Sequence, residues 1–408
     1  MLGSIHDLLC SPDVREIIDV HPNDPAADAF PDWPNWQTIV DDYRADAPTI
    51  ALVAAVRRAQ IGREPVQLAG TVAQDGFGMS PKKHHEVTRM SQFIASLALP
   101  DGVHIVDVGA GQAYLTRALH ALLAAPALAL DGDLGQTHGA RARTGPALTG
   151  ITHRTVHLTP ATLVSAIDAW VPPCATPVPV LLVALHACGS LTPDLFRAVL
   201  SLPENHSWYP AAVVAVGCCY NLMHPADFPL HAPPLPVPLP ASAFQMAAQI
   251  PDTWLLTPAR LASVSLAIRK VVWRALLGRI YADGTSPDKD TGSTPAMRRL
   301  GRLPDSAYDS WPKFLQIASQ RIGVDLAGPN PPLEPPNTDL QRRLESLHVL
   351  RCLLGPVVES YIILDRIEWL KEQVQKSELL NGYVVEAVNL FDQATGSGRN
   401  VALVLRPG

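Results

Sequence analysis

The chain has 408 residues, 47% of them hydrophobic and 17% charged, with a formal net charge of −6. That is enough apolar material for one large core or two smaller ones, and it excludes a largely disordered polymer. The negative balance argues against a protein that grips nucleic acid over its whole surface. It leaves the short basic clusters Arg57-Arg58, Lys82-Lys83 and Arg298-Arg299 as solvated charge or a local patch.

The six cysteines include the adjacent pair Cys218-Cys219 and show no framework spacing. Met1 to Asp19 lacks a basic start followed by an apolar run. A reducing compartment, cytoplasmic or nuclear, is therefore expected, without a secretory signal. Val178 to Leu185 and Ala211 to Val216, the most apolar stretches, are strand-length and too short for a bilayer, so no membrane association is expected.

From Pro31 to about Ala69 the pattern is helical: Trp33, Trp36, Val40 and Tyr43 recur at helical spacing, and Thr49 to Ala59 is apolar on one face. This predicts an N-terminal helical cap within residues 1–75. Gly76 to Lys83 reads as a loop, followed by a helix from His84 to Leu97. Strand and helix signals then alternate: strand 103–108, helix 112–124, strand 127–131, helix 136–142, a weaker strand 153–158, helix 160–170, strand 178–185, helix 192–201 and strand 211–217. Short unbroken apolar strands separated by helices predict a parallel sheet covered on both faces. Seven prolines between His224 and Pro240 break the rhythm and open an irregular insertion at about 222–300, with a helical piece at 261–280 and a polar loop from Ala282 to Thr294. A proline-rich loop at 328–336 precedes helices at 339–354 and 356–376. Tyr383 to Phe391, a turn with Gly396 and Gly398, and Asn400 to Leu405 predict an antiparallel hairpin at the sheet edge.

The chemistry is expected at the strand ends. Asp107-Val-Gly-Ala-Gly-Gln-Ala-Tyr-Leu115 follows the first strand, and Asp131 closes the second. Strand, glycine turn, helix, strand and acid is the order by which an open α/β sheet binds a nucleoside cofactor. Asp107 would repel a pyrophosphate and suits a cationic cofactor, which favours S-adenosyl-L-methionine over a dinucleotide. Gly109 and Gly111 allow the close approach, and Asp131, with Asp133 as competitor, is placed to take the ribose hydroxyls. The fourth and fifth strands run into His186-Ala-Cys188-Gly and Cys218-Cys219-Tyr-Asn, which a doubly wound sheet brings to the same edge. His186 is a candidate general base, and Cys188 and Cys218 are candidates for catalysis or for packing. Zinc held by His186, Cys188, Cys218 and Cys219 is the minority reading, because adjacent cysteines rarely both reach one tetrahedral ion; no metal is expected.

These segments, with Met79-Ser-Pro-Lys-Lys-His-His-Glu-Val87 and Leu354-Gly-Pro-Val-Val-Glu-Ser-Tyr-Ile-Ile-Leu-Asp-Arg366, resemble the eukaryotic methyltransferase-like family, some members of which are described as containing an rRNA adenine dimethylase domain. The resemblance runs from about residue 75 onward and skips the proline-rich insertion. It implies a Rossmann-like class I methyltransferase fold over residues 76–408, with a mostly parallel seven-stranded sheet and S-adenosyl-L-methionine as methyl donor. Lys82 then joins the expected cofactor contacts, and Lys82, Lys83, His85 and Glu86 are all candidates to meet the methionine carboxylate or a substrate phosphate. The strand ends are also similar to those of a tRNA 2′-O-methyltransferase family, which makes RNA the leading acceptor class. A protein or small-molecule acceptor is the alternative, and a non-catalytic scaffold with the proline-rich loop as a protein docking site is the third. Ala113 stands where relatives tend to have glycine, and Ser190 where an acid is common.

Overall fold

The computed structural model describes all residues except 41–45, 71–75, 77, 146–147, 234, 248–257, 285–299, 327–331 and 394–396. The Arg298-Arg299 cluster, most of the loop expected at Ala282 to Thr294, and Gly396 therefore lie outside the described residues. In chain order the helices are α1 (Leu2–Cys10), α2 (Pro12–Asp19), α3 (Trp36–Val40), α4 (Ala47–Arg58), α5 (Pro81–Ala95), α6 (Tyr114–Leu123), α7 (Leu134–Thr144), α8 (Pro160–Asp168), α9 (Leu191–Leu200), α10 (Ala241–Met246), α11 (Pro258–Gly284), α12 (Trp311–Ile322) and α13 (Thr338–Lys376). The strands are β1 (His104–Val108), β2 (Ala127–Asp131), β3 (Ile151–Thr155), β4 (Val178–Cys188), β5 (Trp208–Cys218), β6 (Tyr383–Asn389) and β7 (Val401–Pro407).

Contacts divide the chain into two units: Met1–His6, Gln60–Gln249 and Val357–Gly408 form one, Asp7–Ala59 and Ile250–Pro356 the other. The first holds a seven-stranded sheet in the order β3-β2-β1-β4-β5-β7-β6. β1 to β5 pair in parallel, and β7 runs antiparallel between β5 and β6. The chain order reverses direction at β1 and β4, the switch point where such sheets open a crevice at their carboxyl ends. Successive strand residues face opposite sides. Val106, Val108, Leu128 and Leu182 pack in one core with residues of α8, α9 and the end of α13, while Ile105, Ala127, Leu181 and Val214 pack in another with residues of α5 and α6.

In the second unit Arg351 Nη1 donates to the carbonyls of Ile17 (2.9 Å), Ile18 (2.6 Å) and Val20 (2.5 Å), and Ser346 Oγ donates to Pro34 O (2.8 Å). Trp273 stacks edge-on against Trp311 at 5.2 Å, with Phe314 beside both. Residues 7–59 thus cluster with 250–356, a division that differs from the cap of residues 1–75 expected from the sequence. The reason is long-range: polar anchors such as Arg351 bind carbonyls more than 300 residues away. The expected irregular insertion also narrows, because α11 makes one long helix of Pro258–Gly284.

Three further differences have local causes. α5 begins at Pro81, three residues earlier than expected, because Ser80 caps it by accepting from Lys83 N (3.3 Å) and proline is favoured at the first helical position. One helix, α13, replaces the two expected at 339–354 and 356–376. An internal proline costs about 3 kcal/mol, and buried neighbours on both sides of Pro356, including Leu350, Val357, Val358 and Ile362, offset it. This helix is long and apolar enough to cross a membrane by length and composition, but 83% of its most apolar window is buried in the protein. Finally, β4 and β5 extend to Cys188 and Cys218, so the cysteines sit on the sheet rather than in loops.

Candidate active site

Where β1 ends, the chain turns through Gly109 (φ 76°), Gly111 (φ 53°) and Ala113 (φ 55°) before α6 starts at Tyr114. Gly109 and Ala110 both donate their backbone N–H to Leu130 O at 2.9 Å, which ties the turn to β2. Ala113, where the resemblance led to an expectation of glycine, is fully buried against Ala129 and Ala140. It carries a left-handed backbone that costs an L-residue about 1–2 kcal/mol.

Asp131, at the end of β2, accepts from Gly111 N and from Asp133 N, each at 2.8 Å. Asp133 itself caps α7 through Gln136 N (2.7 Å). Asp131, not Asp133, therefore borders the cavity, which has a volume of about 480 Å³ and is lined also by Lys83, Asp107, Gly109, Gly111, Tyr114, His186 and Cys188. That volume lies within the roughly 300–1,000 Å³ of ordinary ligand sites.

Asp107 is 2% exposed. Burial pushes its carboxyl up to about 6, against the opposing pull of the Thr116 hydroxyl, which donates at 2.5 Å, and of the Lys83 charge. A buried carboxylate this poorly compensated is a seat for a cation, and a sulfonium with an ammonium group fits it. The residues present thus suit S-adenosyl-L-methionine: Asp107 for its positive end, Gly109 and Gly111 for close approach, and Asp131 for hydroxyls. An added Cβ at Gly109 would lie 3.1 Å from Leu191 Cδ2.

Lys82 does not line this cavity. It is 45% exposed, with its Nζ 3.8 Å from Glu86 Oε1, and Lys83 takes the wall position instead. Both lie in the first turn of α5, where successive residues point about 100° apart, so one reaches the cavity and the other does not.

His186 sits at a β-bulge. The β4 to β5 pairing passes from Ala184 opposite Ala215 to Ala187 opposite Gly217, so two residues of β4 face one of β5. Such bulges re-aim side chains, here that of His186. Its Nε2 lies 3.1 Å from Glu86 Oε2, and Ser397 Oγ donates to Glu86 Oε1 at 3.1 Å. Glu86 is only 2% exposed. Burial opposes its charge, but the bond to His186 and the charges of His186, Lys83 and Lys82 outweigh burial and hold its carboxyl below the usual range.

Cys188 lines the cavity, whereas Cys218 lies behind it, buried, with the two sulfurs 3.1 Å apart. A disulfide would need about 2.05 Å, so both are free thiols. The hydrogen bond from Cys218 brings Cys188 down to about 6 against the effect of burial, and Cys218 is pushed upward in turn.

The segment after β5 is held from below by α13. Glu359 bonds Arg63 (2.6 Å) and accepts from Tyr220 Oη (3.0 Å), and the Arg366 guanidinium stacks over the Tyr220 ring at 5.5 Å. Asp365 accepts from the backbone N–H groups of Leu230, His231 and Ala232 at 2.6 to 3.0 Å, which fixes the proline-rich stretch. Ser190, where the resemblance led to an expectation of an acid, accepts from His224 N at 3.0 Å. Gly189 (φ +57°) is required because an added Cβ would stand 2.6 Å from Leu222 O.

Residues 82–226 match a family model described as a methyltransferase domain. The chain is similar to the probable methyltransferase-like protein 25 of Mus musculus, 25% identical over 212 residues, and of Homo sapiens, 26% identical over 209 residues. Each match takes in 47% of this chain, and the chain spans about a third (33% and 32%) of the length of these relatives. Among solved structures, geranyl diphosphate C-methyltransferase from Streptomyces coelicolor A3(2) is 13% identical, with 40% of this chain and 62% of that one covered and a TM-score of 0.20. Coclaurine N-methyltransferase is 12% identical, with 88% and 92% covered and a TM-score of 0.25. Sheet order, glycine turn and matched residues agree: the chain carries a Rossmann-like class I methyltransferase domain, a class whose methyl donor is S-adenosyl-L-methionine.

Proposed function

We propose that the chain transfers a methyl group from S-adenosyl-L-methionine to a hydroxyl acceptor, with RNA as the acceptor class. The observation that carries this reading is His186 on the wall of the cavity that also holds Asp107 and the glycine turn, with its Nε2 engaged by the buried Glu86 behind it. When bound, the donor supplies an electrophilic methyl carbon whose bond to sulfur breaks with its electron pair going to sulfur. Asp107 orients the cationic end, Asp131 the ribose, and the apolar walls Leu158, Leu185 and Leu191 exclude water. Glu86 accepts the Nε2 proton of His186 in a hydrogen bond, which leaves Nδ1 as the acceptor for the hydroxyl proton as the new O–C bond forms. Holding the acceptor in line with the methyl carbon supplies much of the rate.

A polyanionic acceptor is supported by cations on or beside residues that line the cavity, Lys83 and Tyr114, in a chain of net charge −6. The Arg117 and Arg143 guanidinium groups stack on the Tyr114 ring at 5.2 and 5.4 Å, and Lys82 and Lys83 lie on α5. A small-molecule acceptor is the second reading, favoured by a mostly apolar cavity of about 320 Å³ lined by Tyr220, Phe228 and Tyr361. Methyl transfer from labelled S-adenosyl-L-methionine to separated RNA, protein and metabolite fractions tests both. Label in RNA as alkali-resistant dinucleotides supports the proposal. Label confined to the metabolite or protein fraction refutes it.

A further inference from the structure

We propose that Cys188, Cys218 and Cys219 bind one soft metal ion of the zinc class through three thiolate sulfurs, leaving its fourth position open toward the methyl-donor cavity. The three sulfurs all lie within 4.8 Å of one another. A tetrahedral ion with metal to sulfur bonds of about 2.3 Å holds its sulfurs about 3.8 Å apart, a small adjustment from the spacing present.

Adjacent residues on a strand project to opposite faces, so two neighbouring cysteines should not share an ion. The backbone removes that objection. Cys219 adopts a left-handed conformation (φ 47°, ψ 49°) immediately after β5 ends, which returns its sulfur to the side of Cys218. This conformation costs a non-glycine residue about 1–2 kcal/mol, and a turn alone would be served better by glycine or asparagine. Cys188 reaches the same point from the neighbouring strand, where it pairs directly with Cys218. The sequence placed these cysteines at neighbouring strand ends but made a shared ion the minority reading on the adjacency of Cys218 and Cys219, an objection that only the left-handed backbone at Cys219 lifts.

The surrounding charge fits as well. Three thiolates around a divalent ion carry a net charge of −1, and the Arg399 guanidinium acts favourably on the charge of both Cys188 and Cys219. Its Nε is buried with no hydrogen-bond partner. Thiolate donors select zinc or copper(I) over magnesium and calcium. No fourth ligand belongs to the group among the described residues, and His186 Nε2 is engaged by Glu86. Three protein ligands with one open position is the arrangement of ions that hold a water molecule or a substrate atom. Binding releases one proton from each neutral thiol as its sulfur to metal bond forms, and water completes the coordination. Metal binding here is independent of which acceptor the domain methylates.

The test uses the full chain, purified under reductant without chelator and titrated with cobalt(II) as the probe, then competed with zinc. We expect one equivalent with a thiolate-to-cobalt charge-transfer band and the intense visible bands of tetrahedral cobalt, both erased by zinc. Cys188→Ser and Cys219→Ser each weaken binding by roughly a hundredfold, and Cys174→Ser, an exposed cysteine elsewhere, leaves it unchanged. Cys188 is itself exposed, so its variant keeps the fold and carries the test even where Cys218→Ser does not fold. Absence of the charge-transfer band, a band insensitive to Cys188→Ser, or a Cys188 to Cys218 disulfide in the reduced preparation overturns the proposal.

Discussion

Replacing Asp107 by asparagine keeps the shape of the side chain and removes its charge. Between 3.8 and about 6 the folded protein binds a proton that the unfolded chain releases, so wild-type stability falls as pH rises through that window and is level above it. The difference of just over two, at about 1.4 kcal/mol each, makes the ionised, buried Asp107 cost the free protein about 3 kcal/mol at neutral pH. About half of this cost is present by pH 5. The asparagine variant escapes it, and its amide oxygen still accepts from Thr116. The gap in unfolding free energy between variant and wild type, measured by urea denaturation at fixed ionic strength, should therefore widen by about 1.5 kcal/mol from pH 5 to pH 8 in favour of the variant. The same variant should lose affinity for S-adenosyl-L-methionine, so stability and binding move in opposite directions. A gap that stays constant or narrows over this pH range refutes the buried-charge reasoning, because no other change at this position has that pH signature.

Gly109→Ala should fold with a loss of about 1–2 kcal/mol from its left-handed backbone and bind S-adenosyl-L-methionine at least tenfold more weakly, read by calorimetry. Glu86→Gln should lower kcat by about ten- to a hundredfold, with donor affinity within threefold of wild type, and His186→Ala should lower kcat by about 10²- to 10⁴-fold; equal loss of donor binding in both would show that the pair is structural. Asp365→Ala removes the acceptor for three backbone N–H groups and should cost at least about 3 kcal/mol in chemical denaturation. Arg143→Gln should weaken RNA binding across sequences and reduce the slope of log affinity against log salt by about one, the signature of a lost phosphate contact.

What the sequence disclosed and what it hid follow from distance along the chain. The glycine turn, Asp107 and Asp131 were legible because a turn that needs positive φ at Gly109 and Gly111 announces itself locally, and alternating strands and helices fixed the sheet class. The start of α5 was equally local: Ser80 and Pro81 form a capping pair, and reading them as loop residues left no helical phase by which to separate Lys83, which lines the cavity, from Lys82, which does not. The partner of His186 could not be read in the same way, because Glu86 lies 100 residues upstream and the bulge that re-aims His186 depends on pairing with β5. The left-handed turn at Cys219 and the grouping of residues 7–59 with 250–356 are likewise products of tertiary packing. The Glu359 to Arg366 motif was visible as a resemblance, and its physical meaning, a brace beneath the segment after β5, emerges only from its bonds to Arg63, Tyr220 and the backbone at 230–232.

Calorimetric titration of the full chain with S-adenosyl-L-methionine, repeated from pH 5 to pH 7.5, bears most directly on the cavity as a seat for a cationic donor. One-to-one binding that tightens up to tenfold per pH unit below about 6, levels above it, and loses this dependence in Asp107→Asn is the predicted result. Absence of binding, or an affinity indifferent to pH and to Asp107, would contradict it.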